Sequence, residues 1–293
     1  MNPFLQSTLL GIVEGLTEFL PVSSTAHLRI TEAFMHIPLN DAFWQMYSIV
    51  IQIGAILALC LLYLGRIVDF VRTFPGGENG DRTWLTHPIS LTLIAFACTS
   101  GPALLLRKLS EKNLDSLNAM AWALVIGGII MWAVDAWADR QDPETNDVEE
   151  MSLAQSIWIG LCQTFSAVFP GVSRSMSTIA AGQTVDLTRP AALEFSFLLS
   201  IPTMIAATGW DFVKEVHSSK AAGAAGVAAA HVTMNPERWG VLVIGTVVSF
   251  IVALGVVEWF LYWVRKHGFT MFAIYRILLG GALLLWGAKY VGS

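Results

Sequence analysis

Six apolar stretches stand out along the chain: Phe43 to Gly65, His87 to Leu106, Leu114 to Ala138, Ala191 to Val213, Trp239 to Val264, and Phe269 to Val291. Each reaches or nearly reaches the roughly 20 residues that carry a helix across a bilayer, so six crossings are expected. Trp44, Tyr63, Trp84, Trp137, Trp239, Trp263 and Tyr290 fall near their ends, where an amphipathic ring favours the headgroup region. Two links between them, RTFPGGENGDRTW from Arg72 and DRQDPETNDVEE from Asp139, are charged and rich in turn residues, as wet segments are.

Two further apolar regions are interrupted by polar groups and do not read as spans. Residues 3 to 35 break at Pro21 and contain Glu14, Glu18, a Ser/Thr cluster and His27, while residues 153 to 189 break at Pro170-Gly171 and contain Ser173, Arg174 and Ser175. A half-helix of about 15 residues rises only some 22 Å. Polar backbone at membrane depth survives only where protein or a wet cavity surrounds it. Both regions are therefore expected to be re-entrant helical hairpins with polar tips.

Sliding the chain on itself by 149 residues lays Gly11 on Gly160, Glu14 on Gln163, Pro21 on Pro170 and Ser24 on Ser173, so that GIVEGLTEFLPVSS matches GLCQTFSAVFPGVS. The same offset places Gln45 on Glu194. A duplication follows: residues 1–138 form a first repeat, 139–151 an acidic linker, and 152–293 a second repeat, each a hairpin followed by three spans. An odd number of crossings inverts the second repeat, so the hairpins enter from opposite faces and their tips meet inside the membrane. That is an arrangement in which binding sites lie at the repeat interface. Lys and Arg do not orient the whole, because eight fall on one side and six on the other, too small a difference for the positive-inside rule.

Composition narrows the class. Charged residues make up 13% of the chain, about half of what a soluble domain carries, and the mean hydropathy is +0.60; a soluble enzyme is not expected. A net charge of -5 offers no basic face to nucleic acid. Cys60, Cys98 and Cys162 lie singly in apolar stretches, with neither disulfide nor zinc spacing. The N-terminus has no basic region or cleavage signal, so its first segment is expected to belong to the fold.

The candidate chemistry gathers at the two tips. Glu14 and Glu18 lie four apart on one helix face. Two carboxylates in hydrocarbon repel and need a shared proton, a basic partner or a cation. A divalent ion held together with substrate phosphates suits them. After Pro21, Ser23 or Ser24 can cap the second half-helix, leaving backbone N–H groups aimed into the tip. His27 lies one turn on and is placed to share a hydrogen bond with a serine hydroxyl; it can equally be a satisfied core residue. At the second tip Arg174 stands in the first turn of a helix whose dipole disfavours a cation. It needs an anion: a phosphate bound bidentately, with Ser173, Ser175, Ser177 and Thr178 nearby as donors, or Glu14 or Glu18 in a structural ion pair. Gln45, Gln52, Glu194 and Arg276 could line the cavity or tie helices together. The pocket suits a phosphate or diphosphate with a bridging metal.

The stretches EGLTEFLPVSSTAHL from Glu14, PGVSRSMSTI from Pro170, EFSFLLSIP from Glu194 and FAIYR from Phe272 resemble the bacterial undecaprenyl-diphosphate phosphatases of the bacitracin-resistance type, in order and over nearly the full length. Ala26 and Met176 depart from the Gly that many members carry. The resemblance implies an all-α integral membrane phosphatase of the bacterial plasma (inner) membrane, its site opening to the extracytoplasmic side. The implied reaction releases phosphate from a polyprenyl diphosphate lipid to recycle the cell-wall carrier, with a divalent cation, Mg²⁺ or Ca²⁺, as cofactor. The resemblance also implies functional roles at Glu14, Glu18, Ser24, His27, Ser173, Arg174 and Thr178. Taken with the chemistry of the tips, catalysis is expected at Ser24, His27, Glu18 and Arg174, substrate binding at Ser23, Thr25, Ser173, Ser175, Thr178 and Arg174, and the metal at Glu14 and Glu18. Ser24 is expected as a nucleophile deprotonated by His27, with Ser23 or a metal-bound water as the alternative attacking group. The partners expected are the lipid substrate and membrane lipids, and a homodimer is a possible assembly. The rival class is a transporter or flippase for a polyprenyl phosphate lipid, since inverted repeats with broken helices also build transporters.

Overall fold

The computed structural model describes residues 1–78, 80–106, 109, 116–225 and 234–290, with the helical path alone over 211–225 and 286–290. Arg107, Lys108, Lys112 and the start of the expected span at Leu114 lie outside the described residues, as do the side chains of Lys214, Lys220 and Lys289. The helices are α1 Pro3–Thr17, α2 Ser24–Phe34, α3 Ala42–Val50, α4 Gln52–Leu62, α5 Leu64–Thr73, α6 Pro88–Leu105, α7 Leu117–Ala138, α8 Leu153–Val168, α9 Arg174–Gln183, α10 Arg189–Ala225, α11 Pro236–His267 and α12 Thr270–Tyr290. Among the described residues the extended pairing is one isolated bridge between Thr145 and Leu187.

Five segments are long and apolar enough to cross a membrane: Ala42–Leu62, Pro88–Leu105, Leu117–Ala138, Arg189–Trp210 and Pro236–His267. The sixth expected crossing falls on α12, whose described side chains form a shorter apolar helix, Thr270–Leu285. Leu57, Leu93, Trp122, Ile126, Ile130, Val243, Ile251 and Leu278 face outward from these helices. Exposed apolar surface on this scale requires lipid in place of water. The chain is an all-α integral membrane protein that passes the bilayer several times.

Boundaries depart from the sequence reading in the second half, where α10 runs on to Ala225 instead of stopping at Val213, and around the first span. The first span divides at Ile51, which caps α3 and opens α4. It stops at Tyr63, and α5 follows where a wet link was expected. This amphipathic helix packs Ile67 and Phe70 on the core, while Arg66 reaches Glu194 on α10 at 2.8 Å, Glu149 at 3.0 Å and Asp147 at 2.5 Å in the acidic linker. These three carboxylates outweigh the burial that disfavours the Arg66 charge, and its pKa is raised.

The first half-helix of each hairpin lies against a span from the other half of the chain: α1 on α11, and α8 on α6. The contacts correspond pair by pair. Ser7 donates to the Val241 carbonyl at 2.6 Å and Ser156 to the Leu91 carbonyl at 2.6 Å. One turn on, Gly11 meets Gly245, and Gly160 meets Ala95. A methyl on Gly11 would stand 2.7 Å from the Gly245 carbonyl oxygen, and one on Gly160 would stand 2.7 Å from the Ala95 Cα. Only glycine permits these backbones to close, a packing mode typical of helices in lipid.

A buried carboxylate anchors the far end of each hairpin. Glu32 on α2 pairs with Arg29 at 3.2 Å and accepts from Ser48 on α3 at 2.6 Å. At the other end, Asp135 on α7 accepts from Gln183 at 3.1 Å, Arg189 at 2.8 Å and the Phe269 N–H at 2.9 Å. Paired and hydrogen-bonded on every side, these groups meet the condition under which buried charge is tolerated.

Candidate active site

Glu14 sits on the buried face of α1 and Glu18 caps its C-terminus. The chain then turns through Pro21 to Ser23, whose hydroxyl accepts from the Ala26 N–H at 3.4 Å and starts α2. The second hairpin repeats the device: Ser173 accepts from the Met176 N–H at 3.3 Å and starts α9. Both caps hold an unusual backbone, with φ 74° at Ser23 and φ 72° at Ser173. Positive φ in a non-glycine residue costs on the order of 1–3 kcal/mol and persists only where the surroundings impose it.

Cap matches cap at a spacing of 150 residues, so Ser23 corresponds to Ser173 and Ser24 to Arg174. The expected pairing of Ser24 with Ser173 is corrected by one residue. The cause is Gly171, an extra residue between Pro170 and Val172 that adopts φ 95°, a conformation that favours glycine. The offset of 149 holds up to the proline and changes beyond it.

The tips meet. Arg174 donates from one Nη to Glu18 Oε1 at 3.3 Å and from the other to the Ser196 carbonyl on α10 at 3.3 Å. Its guanidinium carbon lies 5.9 Å from the centre of the Phe19 ring. The other carboxylate oxygen of Glu18 accepts a short hydrogen bond from the Ser24 hydroxyl. Ser175 donates to the Leu20 carbonyl across the tips at 3.0 Å and stands 3.1 Å from the Ser173 hydroxyl. Glu14, one turn below, is fully buried, and neither of its carboxylate oxygens has a hydrogen-bond partner. A cation would answer that deficit. No cluster of three or more His, Cys, Asp or Glu occurs among the described residues, so a cation at these two carboxylates would take most of its ligands from the substrate.

Expected site residues therefore divide. Glu18, Ser24 and Arg174 form one connected group, with Ser23, Ser173 and Ser175 around it and Glu14 beside it. Three do not join as expected. The His27 ring does not bond to Ser24: its Nδ1 faces the Ser23 carbonyl at 2.7 Å and its Nε2 faces the Tyr275 hydroxyl at 2.7 Å. Both nitrogens are engaged because α2 turns the ring toward α12 (Tyr275 stacks on it at 5.6 Å), and Glu18 takes the serine proton's place of contact. Thr178 turns into the helix interface, donating to main-chain carbonyls at 3.0 and 3.2 Å and meeting the Ser196 hydroxyl at 2.6 Å. Thr25 is exposed beside the cap.

Sequence reasoning left Arg276 undecided between lining a cavity and tying helices. It is wholly buried on α12 and bonds carbonyls of both turns. Its acceptors are backbone oxygens, which no side-chain pattern displays; the signal was a lone cation in an apolar run, FAIYRILL.

The sequence also matches known proteins. The family model described as bacitracin resistance protein BacA matches residues 7–282. A protein of Koribacter versatilis named undecaprenyl-diphosphatase is 57% identical over 99% of this chain and 100% of its own length. Proteins of the same name from Caldanaerobacter subterraneus and Rhizobium etli are 38% and 39% identical, covering 99% and 96% of this chain and 98% and 96% of theirs.

Proposed function

The chain belongs to the bacitracin resistance protein BacA family, and from that premise we propose that it hydrolyses undecaprenyl diphosphate to undecaprenyl phosphate and inorganic phosphate, recycling the carrier lipid of the cell wall. The observation that carries the mechanism is the chain of contacts from Arg174 through Glu18 to Ser24. A serine hydroxyl on a carboxylate, at a helix N-terminus and beside a guanidinium, is an activated nucleophile with its anion site attached.

In this reading the Ser24 oxygen attacks the terminal phosphorus and its proton passes to Glu18. The bond from that phosphorus to the bridging oxygen breaks, and undecaprenyl phosphate leaves with the bridging oxygen. Glu18 passes the serine proton to the departing undecaprenyl phosphate. Water then attacks the phosphoserine as Glu18 takes one of its protons, and Glu18 returns that proton to the Ser24 oxygen as inorganic phosphate departs. Arg174 releases Glu18 as it engages the phosphate, exchanging one charge-assisted partner for another. N–H groups at the starts of α2 and α9 complete the anion site. Glu18 takes the base role first assigned to His27, which instead braces the Ser23 carbonyl. Direct attack by water, with Ser24 only binding phosphate, is the second reading.

Glu14 and Glu18 would hold a divalent cation, Mg²⁺ or Ca²⁺, which supplies charge neutralisation of the diphosphate. Two inverted repeats, with six crossings and hairpins entering from opposite faces, account for the matched contacts of α1 on α11 and α8 on α6. The site opens to the extracytoplasmic side of the plasma membrane, where spent carrier lipid would be met. Translocation alone has no use for a serine held on a carboxylate, which favours the phosphatase over a flippase. Phosphate release in detergent micelles, with and without EDTA, tests the proposal. Hydrolysis persists without a sealed membrane and falls with EDTA; an inactive detergent-solubilised protein that moves lipid in vesicles would reject it.

A further inference from the structure

Arg276 donates from one Nη to the Pro21 carbonyl at 3.0 Å. From the other it reaches the carbonyls of Gly171 at 3.1 Å, Val172 at 2.9 Å and Ala123 at 3.2 Å. The side chain is fully buried, and no carboxylate accepts from it among the described residues. A cation kept in an apolar interior without a counter-charge is costly. Its four oxygens belong to the turn of the first hairpin, the turn of the second, and α7. Gly127 on α7 makes room for it: a methyl there would collide with the Arg276 Nη2 and stand 2.8 Å from Met176 Cε.

We propose that Arg276 is the positioning residue for the phosphoryl-transfer site, a single guanidinium that clamps both hairpin turns and sets Ser24 against Arg174; the proposal rests on the phosphatase reading. The three turn carbonyls lie one or two residues before the caps. In a trans peptide the N–H points opposite to the carbonyl it follows. With the Val172 carbonyl held against Arg276, the Ser173 N–H is turned away from it, and no protein acceptor meets that N–H among the described residues. The clamp thus aims a backbone donor as well as fixing the gap. It also supplies a surrounding that imposes the positive φ of Ser23 and Ser173. A planar fork serves carbonyls in three directions; a lysine ammonium at the end of a flexible stem does not.

The test measures kcat and KM for lipid diphosphate in detergent, per folded molecule and well below each variant's Tm, for the parent, Ser24→Ala, Arg276→Lys and Gly127→Ala. Arg276→Lys keeps the charge and loses the fork, so kcat should fall about a hundredfold, as ångström misplacement of reacting groups does. KM should stay within about threefold, since lipid binding does not depend on that alignment. Gly127→Ala displaces the guanidinium without removing it and should reproduce the kcat loss at about tenfold or more. The proposal fails if Arg276→Lys retains kcat, if its defect lies in KM alone, or if Arg276→Lys does not fold while Gly127→Ala turns over normally. The phosphatase reading fails separately, when the parent releases no phosphate; Ser24→Ala equal to the parent would reject only the serine nucleophile.

Discussion

Three side chains carry distinguishable duties at the tips, and each has its own signature. Ser24→Ala removes the attacking oxygen and should lower kcat by about a thousandfold or more, while in the parent rapid-quench mass spectrometry should find phosphate on Ser24; phosphate on Ser23 alone would move the nucleophile by one residue. Arg174→Lys keeps an ion partner for Glu18 but cannot grip phosphate with two parallel donors. Its turnover should fall by about two orders of magnitude, and near-normal turnover would reject forked phosphate recognition. Glu14→Gln tests the cation through the unpartnered carboxylate. The divalent concentration for half-maximal rate should rise by about tenfold while saturating metal restores much of kcat. An unchanged metal titration in Glu14→Gln would remove that residue from the metal site.

The half-helices succeed as elements because glycine lets them approach a neighbouring span closely. Gly160→Ala forces a methyl into the Ala95 backbone, an overpacking that should cost about 1–3 kcal/mol and lower the Tm in detergent; an unshifted Tm would mean that α8 can slide off α6. Hairpins broken at Pro21 and Pro170 were legible in the sequence, since proline and a charged or hydroxyl-rich turn interrupt an apolar run unmistakably. The contacting groups at the tips were legible too. What escaped was geometry set by one residue or by main-chain atoms. Gly171 shifts the register after the second proline, so Ser24 aligns with Arg174. His27 has a hydroxyl at workable spacing along its own helix, yet its ring turns to Tyr275, 248 residues away. Leu64–Thr73 is a helix inside an expected loop: Leu64, Ile67, Val68 and Val71 fall at i, i+3, i+4 and i+7, and Ile67 and Phe70 gain the core to pack against only in the folded chain.

At the scale of the whole molecule, the path of the chain makes a topological prediction. The ends of α4, α7 and α11 and the starts of α6, α8 and α10 should share one face, with the end of α10 and the start of α11 opposite. Single cysteines in the 66–86 and 139–151 segments should therefore label from the same side of intact cells, and a cysteine in the 214–236 segment from the other; labelling of all three from one side would overturn the inverted arrangement. The two matching caps impose a condition of another kind. Ser23 and Ser173 present the next residue in nearly the same backbone setting, and that residue is Ser24 in one hairpin and Arg174 in the other. Two identical half-length chains related by a twofold axis would have to place hydroxyl opposite hydroxyl or guanidinium opposite guanidinium. Two tips that differ in sequence set the attacking group against the anion grip, which two identical halves cannot do.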